Sequence, residues 1–250
     1  MIQRYPLLVF ALSLLGLWLS VLFGSYLERL RPVEESERQD LSLVISSSLT
    51  LLGLIIGFTF SMAVSRYDLR KNYEEEEANA IGTEYVRADL LSADAGAKVR
   101  QLLIQYLDQR MLFYTVRDEK QLNSIGVETT KLQNQMWSTV QDAVKGQPTP
   151  VSALAVAGMN DVLNRQGYTQ AAWWNRIPVG AWALMIALAV CCSVLTGYSA
   201  HNRRTRLFTI FPCLVAIAFF LIADIDSPRR GVIRVQPQNI ENLYRSLHDN

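Results

Sequence analysis

Few side chains in this sequence are of a kind that does chemistry, and those few are not spaced for it. Only two histidines occur, His201 and His248, and neither has a partner at metal-ligand spacing. The three cysteines, Cys191, Cys192 and Cys213, fall inside apolar runs, where a thiol acts as a small apolar side chain. The sequence contains no serine nucleophile elbow, no phosphate-binding GxxxxGK and no dinucleotide-binding GxGxxG after a strand. The chain is therefore expected not to be an enzyme and to use no metal or cofactor.

The carboxylates are the remaining candidates. Asp224 and Asp226 stand at the mouth of the last apolar run, ahead of Ser227, Pro228, Arg229 and Arg230. A charge at a membrane boundary needs water, a partner or an ion. As structural groups the two would pair with Arg229, Arg230 or Arg66 and fix the exit of the helix. Arg66 is expected at the interface, as an anchor or, in a pore, near an entry. The run Glu74 to Glu77 would sweep around a helix for one turn. It suits a solvated face, or in an oligomer a ring that attracts or gates cations.

The elements that must carry these groups are membrane spans. The chain has 250 residues, half of them apolar, and a formal charge of +1. A balance that even gives no electrostatic case for binding nucleic acid. Four segments, 6–27, 41–64, 179–199 and 207–225, are long and apolar enough to cross a bilayer. The first has only Arg4 before it and no evident cleavage site, so it is expected to be a retained anchor. A charged link at 28–40, broken by Pro32, joins it to the second. Four spans put the N-terminus, the polar region at 65–178 and the tail at 227–250 on one side. Basic residues do not decide which side. Arg4, Arg66, Arg70, Lys71, Arg176, Arg229, Arg230 and Arg234 oppose Arg29, Arg31, Arg38, Arg203, Arg204 and Arg206, the latter packed more densely in short loops.

The second span organises the rest. No charged residue interrupts 41–64, which at about 1.5 Å per residue makes roughly 36 Å of helix. Ser46, Thr50, Gly53, Gly57 and Ser61 follow i, i+4, i+7, i+11, i+15 and share one narrow face. Gly53 and Gly57 form a GxxxG step within it, which lets another backbone approach. Beside that face runs a second line at i+4 spacing, Thr50, Leu54 and Phe58. Such a helix suits tight packing in an assembly, with a bulky stripe toward a neighbour or an axis. No Pro or Gly occurs between Phe58 and Ile81, so the helix is expected to continue well past the apolar run.

The region at 65–178 reads as helices. Val99, Leu102, Leu103, Tyr106, Phe113 and Tyr114 keep helical spacing, with Ser92 as a cap. Leu132, Met136, Val140 and Val144 repeat at i+4; Lys145 and Gly146 close that helix, and Thr149-Pro150 opens the next. Gly167 is expected to end or kink it. Trp173 and Trp174, just ahead of the third span, suit the membrane interface. A weak helical pattern recurs at Ile240, Leu243, Tyr244 and Leu247.

The stretch GFTFSMAVSRY, residues 57–67, resembles the second membrane helix of bestrophin anion channels. With GFTFSMAVSRYDLRKNYEEEEANAIGTEYVRADLL, RIPVGAW and LIADIDSPRRGVIRV, the chain is similar to a bacterial four-helix family classed as bestrophin-like, over about 51–235. The resemblance implies an all-α, four-span protein of the bacterial inner membrane, in segments 1–64, 65–178, 179–226 and 227–250, with 65–178 cytoplasmic. It implies a homo-oligomer, five-fold by resemblance, that passes inorganic anions such as chloride. Thr50, Leu54 and Phe58 fall where bestrophins place a hydrophobic neck, although here only Phe58 is aromatic. Animal bestrophins carry an acidic Ca²⁺ clasp after their fourth span; here only two acids stand there, short of the six to eight oxygens Ca²⁺ favours. The alternative is a non-conducting membrane scaffold or regulator that binds a partner through its helical region.

Overall fold

The computed structural model describes residues 5–34, 36–146, 148–199 and 207–249. Arg4, His201 and the basic loop at 201–206, all weighed above, lie outside the described residues. Among those described the chain is helical, with no strand. The helices are α1 (Pro6–Leu30), α2 (Arg38–Arg87), a 3₁₀ turn (Ala88–Leu90), α3 (Ala93–Thr115), α4 (Glu119–Gly146), α5 (Ser152–Trp174), α6 (Val179–Tyr198), α7 (Leu207–Asp226) and α8 (Gln238–His248). The absence of Pro and Gly beyond Phe58 has the expected result, and α2 runs unbroken over 50 residues.

Two compact units share the chain. One comprises Met1–Tyr67 with Arg176–Arg234, the other Asp68–Asn175 with Val235–Asn250. The first, the apolar unit, holds α1, the start of α2, α6 and α7. Among the described residues, four helices are long and apolar enough to cross a membrane. Within this unit α1 packs against both α6 and α7. Lipid tails offer no hydrophobic drive for helices to associate, so close backbone approach must supply the attraction. Gly24 and Gly197 do this. A Cβ at Gly24 would stand 2.0 Å from the Val194 carbonyl oxygen, and one at Gly197 would stand 2.0 Å from that of Val21. Beside them the Ser25 hydroxyl donates to the Gly197 carbonyl at 3.2 Å. Trp182, Met185, Cys192, Phe219 and Ile222 fill the core, with Trp182 edge-on to Phe219.

The second, the helical unit, holds the rest of α2 with α3, α4, α5 and α8. The spacing read from the sequence is the packing observed. Val99, Leu103, Tyr106, Leu132, Met136 and Val140 are buried in one core; each such side chain contributes on the order of 1.5–3 kcal/mol. The Ser152 amide donates to Thr149 Oγ1 at 2.9 Å and the Thr149 amide to Ser152 Oγ at 3.0 Å, a reciprocal cap at the start of α5. The tail pattern becomes α8, whose Ile240, Leu243, Tyr244 and Leu247 join the same core.

α5 continues through Gly167 to Trp174, so Gly167 does not end it. Ser92 occupies the cap position of α3 but makes no side-chain cap bond. Trp173 is a core residue rather than an interfacial anchor, with ring centroids 5.1 Å from Phe113 and 5.6 Å from Tyr114. Trp174, its neighbour, is exposed. The four-glutamate run is not a uniformly solvated turn, since Glu74 and Glu77 are buried.

Candidate functional site

The apolar part of α2 has two sides. Leu52, Thr59 and Ala63 are buried in the apolar unit. Thr50, Leu54 and Phe58 lie on the opposite side and are exposed, Leu54 at 52% and Phe58 at 63%. Ser46, Gly53, Gly57 and Ser61 are exposed as well, and a Cβ at Gly53 or Gly57 would meet nothing within 4 Å. Within the apolar unit it is therefore Gly24 and Gly197, and not the GxxxG step, that bring helices close together. Two hydroxyls on this face bond within the helix. Thr50 Oγ1 donates to the Ser46 carbonyl at 2.9 Å and Ser46 Oγ to that of Ser42 at 2.9 Å. Leu54 and Phe58 make the line apolar in two of its three side chains, and Thr50 adds a methyl group beside its bonded hydroxyl.

Asp224 and Asp226 fix the exit of α7, and they do so through the backbone. The two Asp224 oxygens accept from the Val232 and Ile233 amides at 2.8 Å each, folding the loop after α7 back onto its end. That return is tight enough that a Cβ at Gly231 would stand 2.3 Å from the Asp224 carbonyl oxygen. Asp226 accepts from the Ile177 amide at 3.2 Å, while Arg176 Nη1 donates to the Asp226 carbonyl at 2.8 Å. Asp224 is held by amides, where arginines were the partners considered from sequence, and among the described residues Arg66 Nη2 reaches Met62 Sδ at 4.0 Å. Among the described residues no group of three or more His, Cys, Asp or Glu could hold a metal ion.

The helical unit holds polar groups that the sequence did not expose. Arg70, Glu74, Glu77, Ile81, Glu84 and Ala88 are all buried. Their spacing of four, three, four, three and four puts them on one seam of the helix. Arg70 Nε donates to the Ala172 carbonyl and its Nη2 to that of Asn175, both at 3.1 Å, so it caps the end of α5. Glu74 accepts from the Ile240 amide and the Asn239 side chain at 2.8 Å each, which holds the first turn of α8. Burial pushes its carboxyl up, and those two donors offset this only in part. Glu77 is gripped by Arg110, and it accepts from Tyr114 Oη and Thr169 Oγ1 at 3.0 Å each. A heptad seam past residue 67 was the available signal, but charged residues hide it from a search for apolar periodicity.

A family model of the bestrophin-like domain matches residues 10–240. No curated protein is similar to the chain in sequence. Among solved structures, a bacterial bestrophin homologue from Klebsiella pneumoniae solved by zinc phasing has a TM-score of 0.64 at 13% identity, over 97% of each chain. A point variant of a bestrophin homologue from the same organism gives 0.62 at 13% identity over 98% of each. A variant of a membrane protein gives 0.65 at 11% identity over 97% of each. At such identities the likeness establishes the fold.

Proposed function

Because the chain belongs to the bestrophin-like family, we propose that it is one subunit of an oligomeric, passive ion channel of the anion type in the bacterial inner membrane. One observation carries this reading. Among the described residues the apolar stretch of α2 keeps the most open surface of the four: 6% of its apolar window is buried, against 50% in α7. A ring of copies, five by resemblance, would gather that surface about an axis. Thr50, Leu54 and Phe58 then form a neck that passes anions by wetting and holds none of them tightly. Ser46, Gly53, Gly57 and Ser61 provide the close helix contact between copies. Arg66 lies toward an entry, and Asp224 and Asp226 shape the exit of α7. Residues 65–178 form a cytoplasmic region, between the spans in 1–64 and 179–226, with 227–250 returning to it.

The test is chloride flux into liposomes holding the purified protein, with gluconate as the large-anion control. Chloride-selective flux, raised when Thr50, Leu54 and Phe58 are all replaced by Ala, supports the neck. Background flux in both forms sinks the channel reading. The scaffold alternative has its own observation. Asn79, Thr83, Val86, Asn239 and Asn242 line an open groove of about 580 Å³ in the helical unit. Its amide-rich wall suits a polar partner, and a discrete assembly without flux would direct attention there.

A further inference from the structure

Of the four charged side chains on the inner seam of α2, three have hydrogen-bonding partners and Glu84, among the described residues, has none. Glu84 is 0% exposed, and neither carboxyl oxygen has a hydrogen-bond partner. Its seat exists because α5 presents Gly158 there. A Cβ at Gly158 would stand 2.0 Å from Glu84 Oε2 and 2.7 Å from Arg87 Nη1. Carboxyl and guanidinium thus share the space that any larger side chain would fill. The charges on neighbouring elements are engaged elsewhere. On α5, Arg165 pairs with Asp161 at 3.2 Å and with Glu76 at 2.5 Å. In the 3₁₀ turn, Asp89 pairs with Arg100 of α3. Arg87 is the charge left to act on Glu84.

A buried carboxylate that accepts no hydrogen bond is costly enough that the group takes up a proton instead. We propose that Glu84 is a proton-binding site, and that release of its proton draws the Arg87 guanidinium, already beside it at Gly158, into a direct ion pair. The step breaks one O–H bond and delivers the proton to water; no other bond changes. Burial pushes the Glu84 carboxyl up to about 8, against the pull of Arg87, so the switch lies in a range a cell can reach. Its lever is the corner at the end of α2. Arg87 is the last residue of that helix, and the next, Ala88, is buried. A Cβ at Gly96 of α3 would stand 2.5 Å from the Ala88 carbonyl oxygen. Interiors packed that closely transmit a displacement rather than absorb it. Movement of Arg87 is therefore passed to the start of α3.

The inference rests on the helical unit and is independent of conduction. Its test is an infrared titration of the purified full-length protein in detergent, from about pH 5 to about pH 10. The wild type should keep a protonated-carboxyl band that fades with a midpoint near 8, and Glu84→Gln, which mimics the protonated form, should lack it. Arg87→Gln removes the counter-charge and should move the midpoint upward. A band unaffected by Glu84→Gln, or one already gone by about pH 6, overturns the proton site. A midpoint unmoved in Arg87→Gln overturns the coupling to Arg87.

Discussion

The Arg110 guanidinium and the Glu77 carboxylate meet inside the helical unit, the one side chain 1% exposed and the other 0%. Arg110 also lies 4.2 Å above the Phe113 ring, so the pair is walled by aromatic surface. Removing one partner of such a pair costs far more than replacing both with apolar groups. Arg110→Met should destabilise the protein by about 3–5 kcal/mol, read as a lowered thermal midpoint in detergent. Adding Glu77→Leu to Arg110→Met should recover part of that loss. A double variant no more stable than the single one would show that the Tyr114 and Thr169 bonds to Glu77 matter more than its charge.

Two pairs of glycines should respond in opposite ways. Gly24→Ala and Gly197→Ala drive a Cβ against carbonyl oxygens 2.0 Å away, so each should weaken the packing of α1 on α6 within the subunit. Gly53→Leu and Gly57→Leu meet open space in the chain and should leave the subunit folded. If the GxxxG face joins copies, those two variants should reduce the oligomer on native mass spectrometry while leaving the helical content of the subunit unchanged. Intact oligomers in both would refute the packing role of Gly53 and Gly57.

Stability should fall as pH rises from the ordinary carboxylate range to about 8, and Glu84 sets the sign. Its folded carboxyl is raised to about 8, above the unfolded value, so the folded state binds the proton more tightly. Stability from this group is complete below the unfolded value and is lost as pH rises through about 8. The slope approaches about 1.4 kcal/mol per pH unit at most. Thermal midpoints measured across this window should decline, and Glu84→Gln should flatten the decline. Glu74 is raised in the same direction and should leave a residual slope in that variant.

The spans, the length of α2, the core faces of α3 and α4 and the helical tail were legible in the sequence. Each depends on a local period or an uninterrupted apolar run, and neighbouring residues suffice to reveal it. The face of Thr50, Leu54 and Phe58 was legible for the same reason. The tertiary structure decided which polar groups are interior. Glu74 and Glu77 read as a solvated turn until Ile240, Asn239, Arg110, Tyr114 and Thr169 are brought beside them from 33 to 166 residues away. Trp173 read as a membrane anchor until Phe113 and Tyr114 enclosed it. Gly158 carried no signal, because its meaning lies in the Glu84 carboxyl placed against it from another helix. Hydrophobic period is a property of one element, and the sequence by itself determined the elements. Satisfaction of a buried charge is a property of several elements meeting, and only the fold could assign it.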